Sequence, residues 1–224
     1  MSTPRARTAV RFFFDFLSPY SSLALLRAAA FGERLAIEWH LRPVPFGVIL
    51  SAHGLRGAGE IPVKRTYVTA DVIRIAEADG LEFPGPPEHP FLSLNALRVA
   101  MLFLDDPRAL ELCAAMARTC WVEGRPLTDM SVCADVVRGI GLDPSDLETR
   151  IADRALKQRL RSHSEEAIAL GVFGVPTFAL EDGELFYGQD RMEHLALRTS
   201  GAIGSPLERA RRMDERPLGF RREG

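Results

Sequence analysis

Two short segments, far apart in the chain, carry the residue types that can do chemistry: Phe12-Phe13-Phe14-Asp15-Phe16-Leu17-Ser18-Pro19-Tyr20 and Gly174-Val175-Pro176-Thr177-Phe178. The first reads as a buried aromatic strand that breaks into a helix, with Ser18 as the cap and Pro19 at the first helical position. A hydroxyl then stands at the positive end of a helix, where free N–H groups and the macrodipole favour an anion, a thiolate included. Residues 18–21 hold no cysteine, so a thiolate there has to arrive with a ligand. The same serine also satisfies the simpler requirement of an N-cap. In the second segment, Pro176 just ahead of a strand predicts a cis peptide that turns the backbone toward the first helix. That turn leaves the N–H and C=O of Val175 for a peptide-like ligand. Taken alone, Pro176 is a strand-edge proline.

The elements that must position these segments follow from periodicity. Leu35 to Arg42 alternates apolar and polar residues, the pattern of a half-buried strand, which completes strand-helix-strand. Pro62 can open a helix carrying Val68, Val72, Ile75 and Ala76, and helical spacing dominates to about Leu170. Within that stretch, 94–104, 110–121, 132–140 and 147–160 read as separate helices, with Asp143-Pro144 as a further helix start. Strand character returns at Val175 to Leu180 and Glu184 to Tyr187 around Asp182-Gly183, a hairpin, and Asp190 is expected to cap a last helix from Arg191 to about Arg198. The order β-α-β, helical insertion, β-β-α predicts one mixed α/β sheet with an inserted lobe beside the site and a cleft between them. The expected division is 8–45 with 172–200 as the discontinuous sheet domain, 46–171 as the inserted α-helical domain, and 201–224 as a tail. The tail has six Arg against four acids over its last twenty residues and reads as mobile or partner-docking.

Composition narrows the function classes. In 224 residues the formal net charge is −2, so no global field recruits nucleic acid or an anionic membrane surface. No apolar stretch approaches the ~20 residues of a membrane span, and the first residues carry no signal-type apolar core; a cytoplasmic protein is expected. Cys113, Cys120 and Cys133 are an odd set without ligand spacing and read as reduced, buried thiols. None of the five His residues pairs at i, i+4, so no metal site is expected, and each reads as structural or exposed.

With these segments in place, the chain resembles the 2-hydroxychromene-2-carboxylate isomerases, which sit with the kappa-class glutathione transferases in the DsbA-like branch of the thioredoxin fold. The motifs that carry the resemblance are residues 14–21, 60–65, His89-Pro90-Phe91 with Ala96-Leu97-Arg98, 171–178 and 186–191, in family order. Where thioredoxin folds normally carry Cys-x-x-Cys, this chain has Ser18-Pro19-Tyr20-Ser21. The resemblance implies a thioredoxin-like mixed sheet and glutathione as the cofactor. It implies that Ser18 is the catalytic residue facing the glutathione sulfur and that Lys64 meets a glutathione carboxylate. It further implies that Val175, at the Val175-Pro176 bond, pairs its backbone with the cysteinyl part, and that Gln189 and Asp190 hold the γ-glutamyl end. Leu55 stands where kappa-type members carry an Asn, which removes one polar contact.

The implied activity is glutathione-dependent cis-trans isomerisation of 2-hydroxychromene-2-carboxylate to trans-o-hydroxybenzylidenepyruvate, a step in naphthalene-type aromatic catabolism. The substrate is a small aromatic carboxylate, the thiolate adds and leaves reversibly, and a homodimer is implied by the same resemblance. Tyr20, near the helix start, is a candidate to polarise the substrate carbonyl or phenol. Arg65 and Arg98 are candidates for its carboxylate because a guanidinium binds one bidentately. The rival readings are a kappa-like transferase or peroxidase that consumes glutathione and a non-catalytic thiol or peptide carrier.

Overall fold

The computed structural model describes residues 7–216. Thr8–Phe14 forms β1, and its neighbours on either side are β2 (Ile37–Pro43), parallel, and β3 (Thr177–Ala179), antiparallel; β4 (Leu185–Tyr187) completes the sheet in the order β2-β1-β3-β4. Phe12 lies opposite both Leu41 and Phe178. This is a mixed, thioredoxin-like sheet with α1 (Pro19–Leu35) as the crossover between its two parallel strands.

The aromatic run of β1 reads as continuous because both faces of a central strand are buried. Phe12 and Phe14 point into the larger core with Leu25, Leu97, Leu112 and Met116, whereas Phe13 points to the other face, among Val44, Ile49, Val172 and Val175. Successive side chains of one strand therefore anchor two layers. The larger core runs without interruption from the sheet into the helices, so the helical segment packs as part of the same body.

Those helices are α2 (Phe46–Ala52), α3 (Pro62–Ala78), α4 (Leu94–Leu102), α5 (Ala109–Trp121), α6 (Met130–Gly139), α7 (Leu147–Ile151) and α8 (Arg154–Ala169). The stretch 147–160, expected as one helix, is two: Asp153 accepts from the Leu156 N–H at 2.9 Å and starts a new helix. Asp143-Pro144 does not start a helix. Asp143 spends its carboxylate on the N–H and hydroxyl of Ser145, and α7 begins only at Leu147.

After β4 the chain makes a 3-10 turn over Gln189–Arg191 before α9 (Met192–Thr199), whose N-cap position is Arg191 with no side-chain cap. Asp190 is thus inside the turn and does not cap the helix as expected. The stretch expected as a mobile tail contains α10 (Leu207–Asp214), a helix with no buried residue. The part of that expectation covering residues 217–224 lies outside the described residues.

Candidate functional site

The turn between β1 and α1 is held by its own acid. Asp15 is buried, its Oδ1 accepts from the Leu17 N–H at 3.0 Å and its Oδ2 from the Phe46 N–H at 2.8 Å, where α2 begins. Burial pushes the Asp15 carboxyl up from its ordinary value, against the pull of those two N–H groups and the Ser93 hydroxyl. Trp121 Nε1 donates to the Phe16 carbonyl at 2.8 Å, and His89 Nε2 lies 3.1 Å from the Leu17 carbonyl. A carbonyl can only accept, so Nε2 carries the imidazole hydrogen.

The turn delivers Ser18 to the start of α1. Its backbone is extended (φ −86°, ψ 117°), its Oγ accepts from the Ser21 N–H at 3.2 Å, and the hydroxyl donates to the Val175 carbonyl at 3.3 Å. The hydroxyl is therefore at once an N-cap and a bridge to the opposite segment. The Val175-Pro176 peptide is cis, and among the described residues no acceptor is found for the Val175 N–H. Thr177 Oγ1 braces this loop on the Gly174 carbonyl at 2.7 Å, and the Gly188 N–H does so on the Pro176 carbonyl at 2.9 Å. Gly174 has no side chain for a reason: a Cβ there would lie 2.5 Å from the ring of Tyr187, which packs edge-on to Phe173 with centroids 4.8 Å apart.

Residues 9–199 match the family model of the DSBA-like thioredoxin domain, most of the chain and all of the sheet described above except its first residue. The chain belongs to the DSBA-like thioredoxin domain family. The chain is 28% identical to glutathione S-transferase kappa 2 of Caenorhabditis elegans, with 85% of this chain and 91% of the relative covered. It is equally 28% identical to a 2-hydroxychromene-2-carboxylate isomerase of Pseudomonas putida over 82% of this chain and 90% of that one. A solved structure of a 2-hydroxychromene-2-carboxylate isomerase superposes with a TM-score of 0.77 at 26% identity, covering 92% of this chain and 97% of that one.

In this DSBA-like domain the other candidate residues fall into three groups. Ser18 and Val175 are in direct contact. Gln189, buried, accepts from Arg27 of α1, which also pairs with Asp79; the exposed Asp190 beside it pairs with Arg191 at 3.4 Å. Lys64 and Arg65 share the first turn of α3; Lys64 is exposed with no ion pair among the described residues, while Arg65 Nη2 donates to the His89 carbonyl at 2.9 Å. Tyr20 lies on α1 next to Ser18, but its hydroxyl already donates to Asp71 Oδ2 at 2.8 Å. Burial first, and then Asp71, pushes that phenol above its usual range, so it is a poor proton source for a ligand.

Arg98 is not brought to this site. It lines a separate cavity of about 280 Å³ with Asn95, Met130, Glu148, Ile151 and Lys157, and its Nε is buried without a partner. Leu55 is 46% exposed in the loop after α2. Three residues that shape the Ser18 turn were not assigned to it from the sequence: Asp15 and His89, which entered only as members of resemblance motifs, and Trp121. An acid inside an apolar run was the available signal for Asp15, and a His before Pro for His89; nothing local marks Trp121.

The chain's own thiols stand apart from this chemistry. Cys113, Cys120 and Cys133 are free and buried, and burial raises all three, Cys120 and Cys133 to about 12.

Proposed function

We propose that this protein is a glutathione-dependent isomerase of a conjugated, aromatic carboxylate substrate, with 2-hydroxychromene-2-carboxylate, the substrate that its isomerase relatives and the solved neighbour are named for, as the first to test. The single observation that carries it is Ser18: a hydroxyl at a helix N-terminus, 3.3 Å from the carbonyl of a cis-proline loop. When bound, glutathione supplies a thiolate that adds reversibly to a conjugated carbon and so frees a stiff double bond to rotate.

The protein's residues make that thiolate available. A free thiol with a pKa of about 8.5 is mostly protonated near neutrality, and each unit of depression requires about 1.4 kcal/mol of preferential binding of the anion. Ser18 holds one proton, spent on a long bond to a neutral carbonyl; transferring it to a sulfur anion exchanges a weak contact for a charge-assisted one. The N–H groups at the start of α1 add a positive field at the same point. The free N–H of Val175 suits the backbone of a bound tripeptide, Lys64 suits a carboxylate at one end, and Gln189 with Asp190 suits the γ-glutamyl end. Positions 18–21 carry no cysteine, so the site has no redox thiol of its own.

A second reading, a kappa-like transferase that consumes glutathione, is favoured by the equal identity to the nematode kappa enzyme. The test is calorimetric titration of glutathione in buffers of different ionisation enthalpy, with wild type and S18A. Proton release on binding to the wild type and little release with S18A is the expected result; binding without proton release in both overturns the thiolate reading. Glutathione concentration after many turnovers on an arylidene-pyruvate then separates isomerase, with no depletion, from transferase.

A further inference from the structure

The two peptide planes that lead into Ser18 are each fixed at both edges. In the Phe16-Leu17 peptide, the C=O accepts from Trp121 Nε1 at 2.8 Å and the N–H donates to Asp15 Oδ1 at 3.0 Å. In the Leu17-Ser18 peptide, the C=O faces His89 Nε2 at 3.1 Å and the N–H donates to the Asp15 carbonyl at 3.0 Å. A peptide unit pinned at both ends cannot rotate about its flanking bonds without losing a hydrogen bond, so these four contacts set where the Ser18 hydroxyl and the first N–H groups of α1 point.

Two of the pins come from Asp15, which belongs to the turn. The other two come from the helical segment, and of these the His89 contact reaches further. Its ring holds the Leu17 carbonyl, packs edge-on to Trp121 at 5.3 Å, and its own carbonyl accepts from Arg65 at 2.9 Å. Arg65 follows Lys64 on the first turn of α3. One residue thus ties the turn that carries the hydroxyl to the helix that carries the free ammonium.

We infer that His89 is a positioning residue that fixes the Ser18 turn through its Nε2–H and fixes the spacing between Ser18 and Lys64 through its carbonyl. This rests on the glutathione reading only for the identity of the ligand; the effect on the turn belongs to the protein itself. A site of this kind needs its groups held within about 0.5 Å, and a side chain whose own ring is wedged against an indole can hold them so.

The experiment reads the turn without glutathione. In S18C the introduced thiol reports the field and geometry at position 18, and its pKa is measured by thiolate absorbance. His89→Gln keeps an amide donor where Nε2 lies, His89→Asn places its donor short of the carbonyl, and His89→Ala removes it. In the S18C background, H89A and H89N should raise the thiol pKa by about one unit, a tenfold loss of thiolate ratio, while H89Q stays near the parent. In the natural Ser18 background, R65M should weaken glutathione binding several-fold, yet in S18C it should leave the thiol pKa where it was. Equal thiol pKa values in all the His89 variants overturn the inference, and so does H89Q behaving as H89A. If H89A loses its fold by circular dichroism, the H89N and H89Q pair decides. If wild type fails to bind glutathione while the S18C series still shifts, the positioning role stands and the glutathione reading falls.

Discussion

The Ser18 hydroxyl and the Val175 carbonyl meet at 3.3 Å across 157 residues of chain. The same oxygen caps α1 through the Ser21 N–H, so its structural and chemical roles coincide and must be separated by choice of substitution. Replacing an N-cap serine by Ala costs about 1 kcal/mol, by Gly only a few tenths. S18A should therefore lower the melting temperature and leave little proton release on glutathione binding, while S18G should leave equally little proton release with a much smaller thermal effect. Paired melts and titrations check it; proton release surviving in S18G would assign the donor elsewhere.

Gly174 and Tyr187 should be strongly coupled. The Gly174 backbone does not lie in the left-handed region, so alanine is conformationally allowed and its cost is the collision of Cβ with the Tyr187 ring at 2.5 Å. The ring is 46% exposed and can swing out, giving up an edge-on contact with Phe173 worth about 0.5–1.5 kcal/mol. G174A should destabilise by about 1–3 kcal/mol, and the penalty should shrink sharply in a Y187A background. Urea unfolding of the four proteins in the cycle measures this, with additive energies as the contrary result.

Acid sensitivity should show two windows. His163, whose ring lies 3.3 Å from the Pro43 carbonyl, is held neutral: burial, then the nearby Arg42 charge, moves it from 6.5 to about 4, with Glu166 and Arg159 acting in opposite directions. A depressed histidine means that the unfolded chain binds the proton first, so stability is full above 6.5 and falls as pH drops toward 4. The loss should be on the order of 2 kcal/mol, discounted for partial exposure. Glu166 acts lower down. Burial opposes its ionisation but Arg42 at 2.8 Å and Arg11 at 3.2 Å outweigh it, so its contribution is present above 4.5 and disappears as pH falls through its lowered folded value. H163N, which keeps a donor near the carbonyl but cannot titrate, should flatten the urea midpoint between pH 6.5 and 4 and leave the lower window intact.

The three cysteines should be silent in the native state. Because burial raises their thiols, iodoacetamide at mildly alkaline pH should leave Cys113, Cys120 and Cys133 unmodified until urea is added, as read by intact mass. Insulin reduction should be absent as well. Rapid native labelling of any of the three would reopen a thiol-disulfide role.

The elements that frame the candidate site were legible in the sequence where their chemistry is local. Ser18-Pro19 marks a helix start by cap and fixed φ, Pro62 marks another, and the hairpin around Asp182-Gly183 follows from turn chemistry. The contacts that orient the site were not legible, because His89 and Trp121 reach carbonyls 72 and 105 residues away and a backbone acceptor leaves no trace in residue type. Arg98 illustrates the converse. Its chemistry suits a carboxylate, yet its helix turns it toward α7 and α8, and only packing decides that. Asp190 has cap chemistry at a plausible place, but the backbone makes a 3-10 turn there and the acid ends on the surface beside Arg191.

The strand order β2-β1-β3-β4 has a consequence for synthesis. β1 finds its parallel partner β2 within the first 43 residues, but its other edge stays open until β3, beginning at Thr177, leaves the ribosome. Closing a loop of that length is a slow, high-contact-order event, and an open edge bearing Phe12, Phe13 and Phe14 is exposed to stray pairing in the meantime. Ser18 meets Val175 only when that edge is closed, so a nascent or truncated chain has the helix and the hydroxyl but not the contact that completes the candidate site: on the proposed function, glutathione binding would be a readout of finished folding.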